Sequence, residues 1–588
     1  MTIESVTSTE LRDPPSDLSP FHAGLSEFED DSELPLADRA RPLVASHSQQ
    51  GIWLAASVAD DADRSLVASH SYRLRGHADV QALNDALNSV VVRHEVLRTG
   101  FVFHENELYQ RVYPAEPANL DVVEMLNTSN ESLTSAMHDF YRTTIDLERG
   151  PLLRWRFLRV APDDHILMLL IHHIANDGWS MGILHDEISQ LYALAIENGT
   201  LGSAELAHHY RTQELPVQYT DYAVWQRSVA ETGGFDDDLS FWQDHLRGAP
   251  QVMELPLDSP RGSMRSFVGD AVIKECPAEL MEKIRSVALD LNVTPFMLQF
   301  AAFQAILSSW TGQQDMILGV TLANRALPET ERLIGYFVNT LPIRSVMHGQ
   351  ERFSAVLERT RVALMSSYDH AGVPFELILS KVRIPQAASV KPLVQVSVAS
   401  HQELTEPLSL RNVVVEYLEP DRLDAQQDLI LYLTAHGEEA GICLRYNCDL
   451  FSRSTIEDLA QCYLDGLAIV CAEPLTLLSE IRVPRRREAV GILEQCSETT
   501  ATNMPTAAAS PAEELVADIW REVLAGAELS PDSDFFALGG TSLAALRVVG
   551  RLSRLLGTRV PVRTIFEHST LRTLAAHFEH LTEAAIAT

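Results

Sequence analysis

Apolar residues recur at helical spacing over residues 81–98, where Leu83, Leu87, Val90, Val91 and Leu97 form one stripe and predict an amphipathic helix. Residues 166–171, Ile-Leu-Met-Leu-Leu-Ile, are apolar on both faces, as suits a strand in the middle of a sheet. Helix and strand patterns alternate from residue 41 to about 485, the pattern of an α/β protein. Past residue 510 the pattern is purely helical. Ser510-Pro511-Ala512-Glu513 reads as a capping box with proline at the first helical position, followed by Leu515, Val516, Ile519, Trp520 and Val523. A second helix is expected after Gly539-Gly540-Thr541, with Leu543, Leu546, Val549 and Leu552. A third follows Ser569, with Leu571, Leu574 and Phe578, so residues 511–582 form a three-helix bundle.

Two stretches lack any apolar stripe. Residues 1–40 are acidic and scattered with prolines, and are expected to be a solvated, disordered tail. Residues 486–510, ending in small residues, serine, threonine and alanine, read as a linker.

The chain of 588 residues carries a formal charge of −35, which argues against general nucleic-acid binding. With no long apolar run and no basic-then-apolar start, neither a membrane span nor a secretory signal is expected. Cys276, Cys443, Cys448, Cys462, Cys471 and Cys496 form no CxxC pair, so neither a metal site nor a disulfide framework is expected, and the cytoplasm is the expected location.

The buried strand runs into His172-His173-Ile174-Ala175-Asn176-Asp177-Gly178-Trp179-Ser180, with a helix expected from about Ser180. Titratable groups at a strand end before a glycine turn stand where α/β folds place their sites. Successive side chains of a strand point to opposite sides, so one histidine can face a cleft while its neighbour joins the core. Taken locally, catalysis and core packing both remain open, and the two adjacent histidines cannot easily converge on a metal.

The wider pattern resembles the condensation domains of nonribosomal peptide synthetases, which are chloramphenicol-acetyltransferase-like proteins. His172 to Gly178 is similar to their HHxxxDG motif. Further blocks follow in family order: Ser46 to Trp53, Arg93 to Thr99, Tyr219 to Gln226, Ile334 to Thr340 with Arg344, and His370 to Glu376. The last block is degenerate, with Lys391-Pro392-Leu393-Val394-Gln395-Val396 lacking a clear Arg-Asp pair ahead of it.

The resemblance implies two lobes over residues 41–485, about 41–215 and 216–485, around a tunnel entered from both faces. His173 would lie at its centre as general base or positioner, with His172 structural. Asp177 would pair with Arg325, Gly178 would allow a tight turn, and Arg344 and Asn339 would support the site. Trp179 is expected in the core. The variants of the motifs look like those of domains that join two L-configured residues.

Asp534-Phe535-Phe536-Ala537-Leu538-Gly539-Gly540-Thr541-Ser542-Leu543 resembles the core motif of peptidyl carrier proteins, with Thr541 where Asp or His is more usual. This implies 4′-phosphopantetheine on Ser542, attached by a phosphopantetheinyl transferase. The expected activity is amide formation between a thioester on an upstream carrier and an aminoacyl thioester on Ser542. An ester-forming domain with a hydroxyl acceptor, an epimerisation domain and a silent carrier scaffold are the alternatives. No adenylation domain separates the two units, so an adenylation protein is expected to act in trans. A downstream module or release enzyme would take the product.

Overall fold

The computed structural model describes residues 34–481 and 510–586 apart from internal gaps, the longest at 199–214. The expected linker falls outside the described residues except at Ser510, as do residues 1–33 of the expected tail.

Among the described residues the larger unit holds one sheet per lobe and a small third sheet. The first-lobe sheet has five strands, in which Asp164–His172 lies between Val67–Arg75 and Leu153–Ala161. Its central place explains the unbroken apolar run: Ile166 to Ile171 are all buried, against different clusters on the two faces. The second-lobe sheet has seven strands, with Val396–His401 parallel to both of its neighbours, Asp315–Leu322 and Leu429–His436. The apolar helix Pro295–Thr311 is buried in this lobe along most of its length.

Several features depart from the expected plan. The helix expected over 81–98 is Val80–Arg93, and the chain then tightens into a 3-10 turn at Glu95–Arg98. The lobes do not divide cleanly at 215/216. The strand Val414–Leu418 pairs antiparallel with Val67–Arg75 and so completes the first lobe's sheet from far along the chain. Tyr219, Tyr222 and Ala223 likewise join the first core.

The expected tail ends earlier than residue 40. Leu34 is buried, the Ala37 N–H donates to Asp221 at 2.7 Å, and Arg39 bridges Asp221 and Glu95 at 2.6 and 2.8 Å. Residues 34–40 are held because their few donors meet carboxylates of the folded domain.

The carrier unit has four described helices rather than three: Pro511–Val523, Ser542–Leu556, Arg563–Glu567 and Leu571–Ile586. The short helix Arg563–Glu567 has too few residues to show a period. Ser510 and Glu513 form the reciprocal cap, at 3.1 and 3.0 Å.

Candidate active site

The central strand ends at His172, and His173–Ala175 form a single 3-10 turn. The His172 ring is fully buried, and its Nδ1 accepts the Ile174 N–H at 3.1 Å. Its Nε2 therefore carries the proton, facing Asp63 at 3.4 Å. His173 has the opposite tautomer. Its Nδ1 lies 3.3 Å from the Asn176 carbonyl, which can only accept, so Nδ1 carries the proton and Nε2 keeps its lone pair. Burial pulls the His173 pKa down to about 4, against the opposing effect of the Asn176 hydrogen bond. The change from strand at His172 to 3-10 turn at His173 has thus given the two imidazoles different surroundings.

Asp177 heads the helix Gly178–Asn198. Its Oδ1 accepts the Ser180 N–H at 2.8 Å, which caps the helix, and lies 2.7 Å from the Ser180 hydroxyl. Arg325 Nη2 donates to the carboxylate at 3.1 Å, and the Phe337 N–H donates to Oδ2 at 3.0 Å. Arg325 in turn donates to the carbonyls of Thr330 and Leu333 and lies over the Phe337 ring, 4.2 Å from its centroid. Both charged side chains are almost wholly buried. This knot joins the histidine loop to the stretch Leu333–Phe337.

Two expectations fail here. Gly178 has no left-handed backbone, and a Cβ built on it would meet nothing within 4 Å, so no tight turn or close approach requires glycine. Its missing side chain leaves open space beside the histidine loop instead. Trp179 is not a core residue: it is partly exposed, and its indole N–H donates to the Glu331 carbonyl at 2.9 Å.

The other blocks surround this loop. Ser46 Oγ lies 3.0 Å from the Tyr219 hydroxyl, which donates to the Tyr336 carbonyl at 2.7 Å. Gln49 reaches the Ile174 carbonyl at 3.4 Å. Arg93 and His94 share Glu187, at 2.9 and 3.0 Å. Asn339 donates to the carbonyls of Ala371 and Val373 and accepts the Phe375 N–H at 3.0 Å, which fixes the entry to the helix Phe375–Lys381. Arg344 is not drawn into the site. It pairs with Asp315 at 2.7 Å five residues further along the strand Asn339–Val346, roughly 17 Å away at strand spacing.

Sequence reasoning missed Ser180 and Glu187. Ser180 had a signal, since it stands at the third helical position after an aspartate, where a capping bond falls. Glu187 had none, because its partners lie 94 and 93 positions away.

His173, Glu376, Lys391, Tyr336 and Tyr432 lie deep in the molecule yet keep partial exposure. Gly51 makes room at the lobe boundary: a Cβ there would come within 2.9 Å of Glu376, whose carboxylate accepts from Ser48 at 3.3 Å. Among the described residues no cluster of side chains could hold a metal ion, no disulfide forms, and no single helix is long and apolar enough to cross a membrane.

In the carrier unit, Ser542 opens the helix Ser542–Leu556. Gly540 is held against Phe535, and a Cβ there would lie 2.4 Å from that ring, so glycine is needed to bring the chain onto the helix. Phe535 in turn packs against Trp520, with ring centroids 5.0 Å apart. A serine at a helix start, where free amide N–H groups point outward, fits a phosphodiester.

Residues 40–493 match the Condensation domain family, and residues 514–578 match the Phosphopantetheine attachment site family. Malpibaldin synthetase of Mortierella alpina is 34% identical over 431 residues, which cover 72% of this chain and 8% of that protein. An isonitrile lipopeptide synthase of Mycobacterium tuberculosis is 31% identical over 485 residues, 78% of this chain and 19% of that one. The chain therefore spans a small fraction of these relatives. Among solved structures, the X-domain from teicoplanin biosynthesis is 25% identical, with a TM-score of 0.70 over 77% of this chain and 100% of its own. A four-domain nonribosomal peptide synthetase shares the fold at a TM-score of 0.66 and 19% identity, over 90% of this chain and 43% of its own. With the two-lobed fold, the histidine loop and the helical unit that follows, these matches place the chain in the condensation-domain family of nonribosomal peptide synthetases, joined to a 4′-phosphopantetheine carrier domain.

Proposed function

We propose that the protein forms an amide bond between an acyl or peptidyl thioester on an upstream carrier and an aminoacyl group held at Ser542. Attached there, 4′-phosphopantetheine supplies a thiol that holds the acyl group as a thioester. The observation that carries the reading is the tautomer of His173, whose Nδ1–H is spent on Asn176 and whose Nε2 lone pair is free.

In the reaction the acceptor amine attacks the donor carbonyl, the C–N bond forms, the C–S bond breaks, and the departing sulfur ends with the proton that the nitrogen loses. A pKa of about 4 makes His173 a poor base toward a free α-ammonium near 8, uphill by about four orders of magnitude. His173 therefore receives a hydrogen bond from an amine that is already neutral, and takes its proton only once attack has made the nitrogen acidic. Burial keeps the ring neutral for that task at cellular pH. The gain comes largely from holding two reactants in line. Asp177 and Arg325 hold the loop and stay outside the proton path, because the carboxylate is already saturated with donors.

The same reading supplies the partners: a phosphopantetheinyl transferase, an upstream carrier, a downstream module or release enzyme, and a separate adenylation protein. The last is supported by the gap between the family matches, 493 to 514, which is too short for a nucleotide-binding domain. It would work in the cytoplasm, as units about 41–485 and 511–582.

The test is product formation from purified carrier-bound substrates with amine and alcohol acceptors. His173→Ala is expected to retain loading of Ser542 and to lose about a hundredfold or more in condensation rate. Ser542→Ala is expected to take up no phosphopantetheine mass. Wild-type rates in His173→Ala overturn the role of the imidazole, and turnover with alcohols alone points to ester formation.

The likeness to the teicoplanin X-domain, which was also solved in complex with OxyB, favours a second reading in which this unit recruits another enzyme. In that case no amide product forms with any substrate pair.

A further inference from the structure

The Asp177 carboxylate is fully met by donors, whereas a group of deep cations on the second lobe has fewer anions than charges. One carboxylate there, Asp428, has a paired cation and two more within electrostatic reach. Asp428 is taken by Arg261, which donates to it through both Nη atoms, one at 3.0 Å, and both partners are nearly buried. Arg265 and Lys391 share the electrostatic field of Asp428 without an ion pair of their own among the described residues. Arg265 donates to the Gln426 carbonyl at 2.8 Å and lies over the Phe267 ring at 4.9 Å. The other acidic neighbour of Lys391 is Glu376, whose carboxyl is pushed up by burial toward its neutral form.

This group stands near the reacting centre. The helix His47–Val58 touches both: Ser48 bonds Glu376, and the adjacent Gln49 bonds the carbonyl of Ile174, next to His173. Arg445 adds to the positive field. It lies over the Tyr432 ring at 5.5 Å, is near enough to lower the basicity of His173, and has a buried Nε with no partner among the described residues. A deep cation without a paired anion is costly to a fold. Burial and the nearby Arg265 pull Lys391 down to about 7, and an anion brought beside it would favour its charged form.

We propose that Lys391 and Arg265 form a carboxylate-binding subsite, so that the chain selects an acyl group bearing a side-chain carboxylate. The proposal rests on the amide-forming reading for its meaning in turnover. The shared chemistry is a carboxylate, and it can arrive on the donor or on the acceptor.

Two arms distinguish these sources. In one, Ser542 of the full chain is loaded with L-glutamyl or L-glutaminyl groups against a neutral donor. In the other, the pair is exchanged on the upstream carrier against a neutral acceptor. Binding of the unreactive glutamyl and glutaminyl pantetheine amides is measured by calorimetry, which needs no turnover. A preference of about tenfold to a hundredfold for the acidic member is expected in one arm and in binding, the size of a charge-assisted hydrogen bond. Lys391→Met is expected to bring the glutamyl and glutaminyl members to equal binding and equal rates, and Lys391→Glu to shift the preference toward a lysyl group. Circular dichroism checks that each variant is folded, and Arg265→Met gives the same readout from a second position.

Equal binding and equal rates for the two members in wild type overturn the subsite. Selective binding without product from any pair would instead defeat the amide-forming reading and leave the subsite standing.

Discussion

The Asp177–Arg325 knot and the Lys391–Arg265 group are both deep and charged, yet they are built on opposite principles. Around Asp177 a serine hydroxyl, two backbone N–H groups and a guanidinium share one carboxylate, so the carboxylate has nothing left to offer a substrate. Around Lys391 the cations outnumber the available anions and the ammonium keeps partial exposure. Saturated charge holds loops in register. Unsaturated charge at an accessible depth is where chemistry or selection can act.

The largest effect expected from breaking this contrast is at Asp177. Asp177→Ala strands a buried guanidinium and uncaps a helix, with an expected loss of about 3–5 kcal/mol in stability, measured by denaturant unfolding. Unchanged stability would mean that the knot is ornamental.

A smaller, graded effect is expected from pH. Burial lowers the pKa of His47 and His70 to about 3, and of His173 and His185 to about 4. Their folded values lie below the unfolded value of about 6.5, so the unfolded chain binds more protons in that window. Stability is therefore fully present above about pH 6.5 and is lost as pH falls toward 4. A melting temperature that stays flat from pH 7 to 4.5 would contradict the burial of these rings.

The smallest effect is at Gly178. A methyl group there meets open space, so Gly178→Ala is expected to leave the melting temperature within a degree or two while slowing condensation. A large loss of stability would show that the glycine serves the backbone after all.

Much of this site was legible because its parts are local. The strand 166–171 and the following histidines could be read from period and position, as could the Ser510 cap. The pairing of Asp177 with Arg325 came from resemblance, since 148 positions separate them. Gly178 and Trp179 were misread because a motif records which residue stands at a position and omits what surrounds it. Lys391 looked like the remnant of a weak block. Its meaning depends on Arg265, Asp428 and Glu376, which no window of sequence brings together. The clasp at residues 34–40 was hidden in the same way, because Arg39 finds its carboxylates at positions 95 and 221.

The strand Val414–Leu418 ties the second half of the chain back into the first lobe's sheet, so the lobes are not two beads on a thread. A fragment stopping near residue 215 would present the bare edge of Val67–Arg75 to solvent, with its ladder groups open to any passing strand. The second lobe, expressed alone, would carry a homeless ribbon. Such a protein cannot be halved at its apparent waist without leaving both pieces with an unpaired strand.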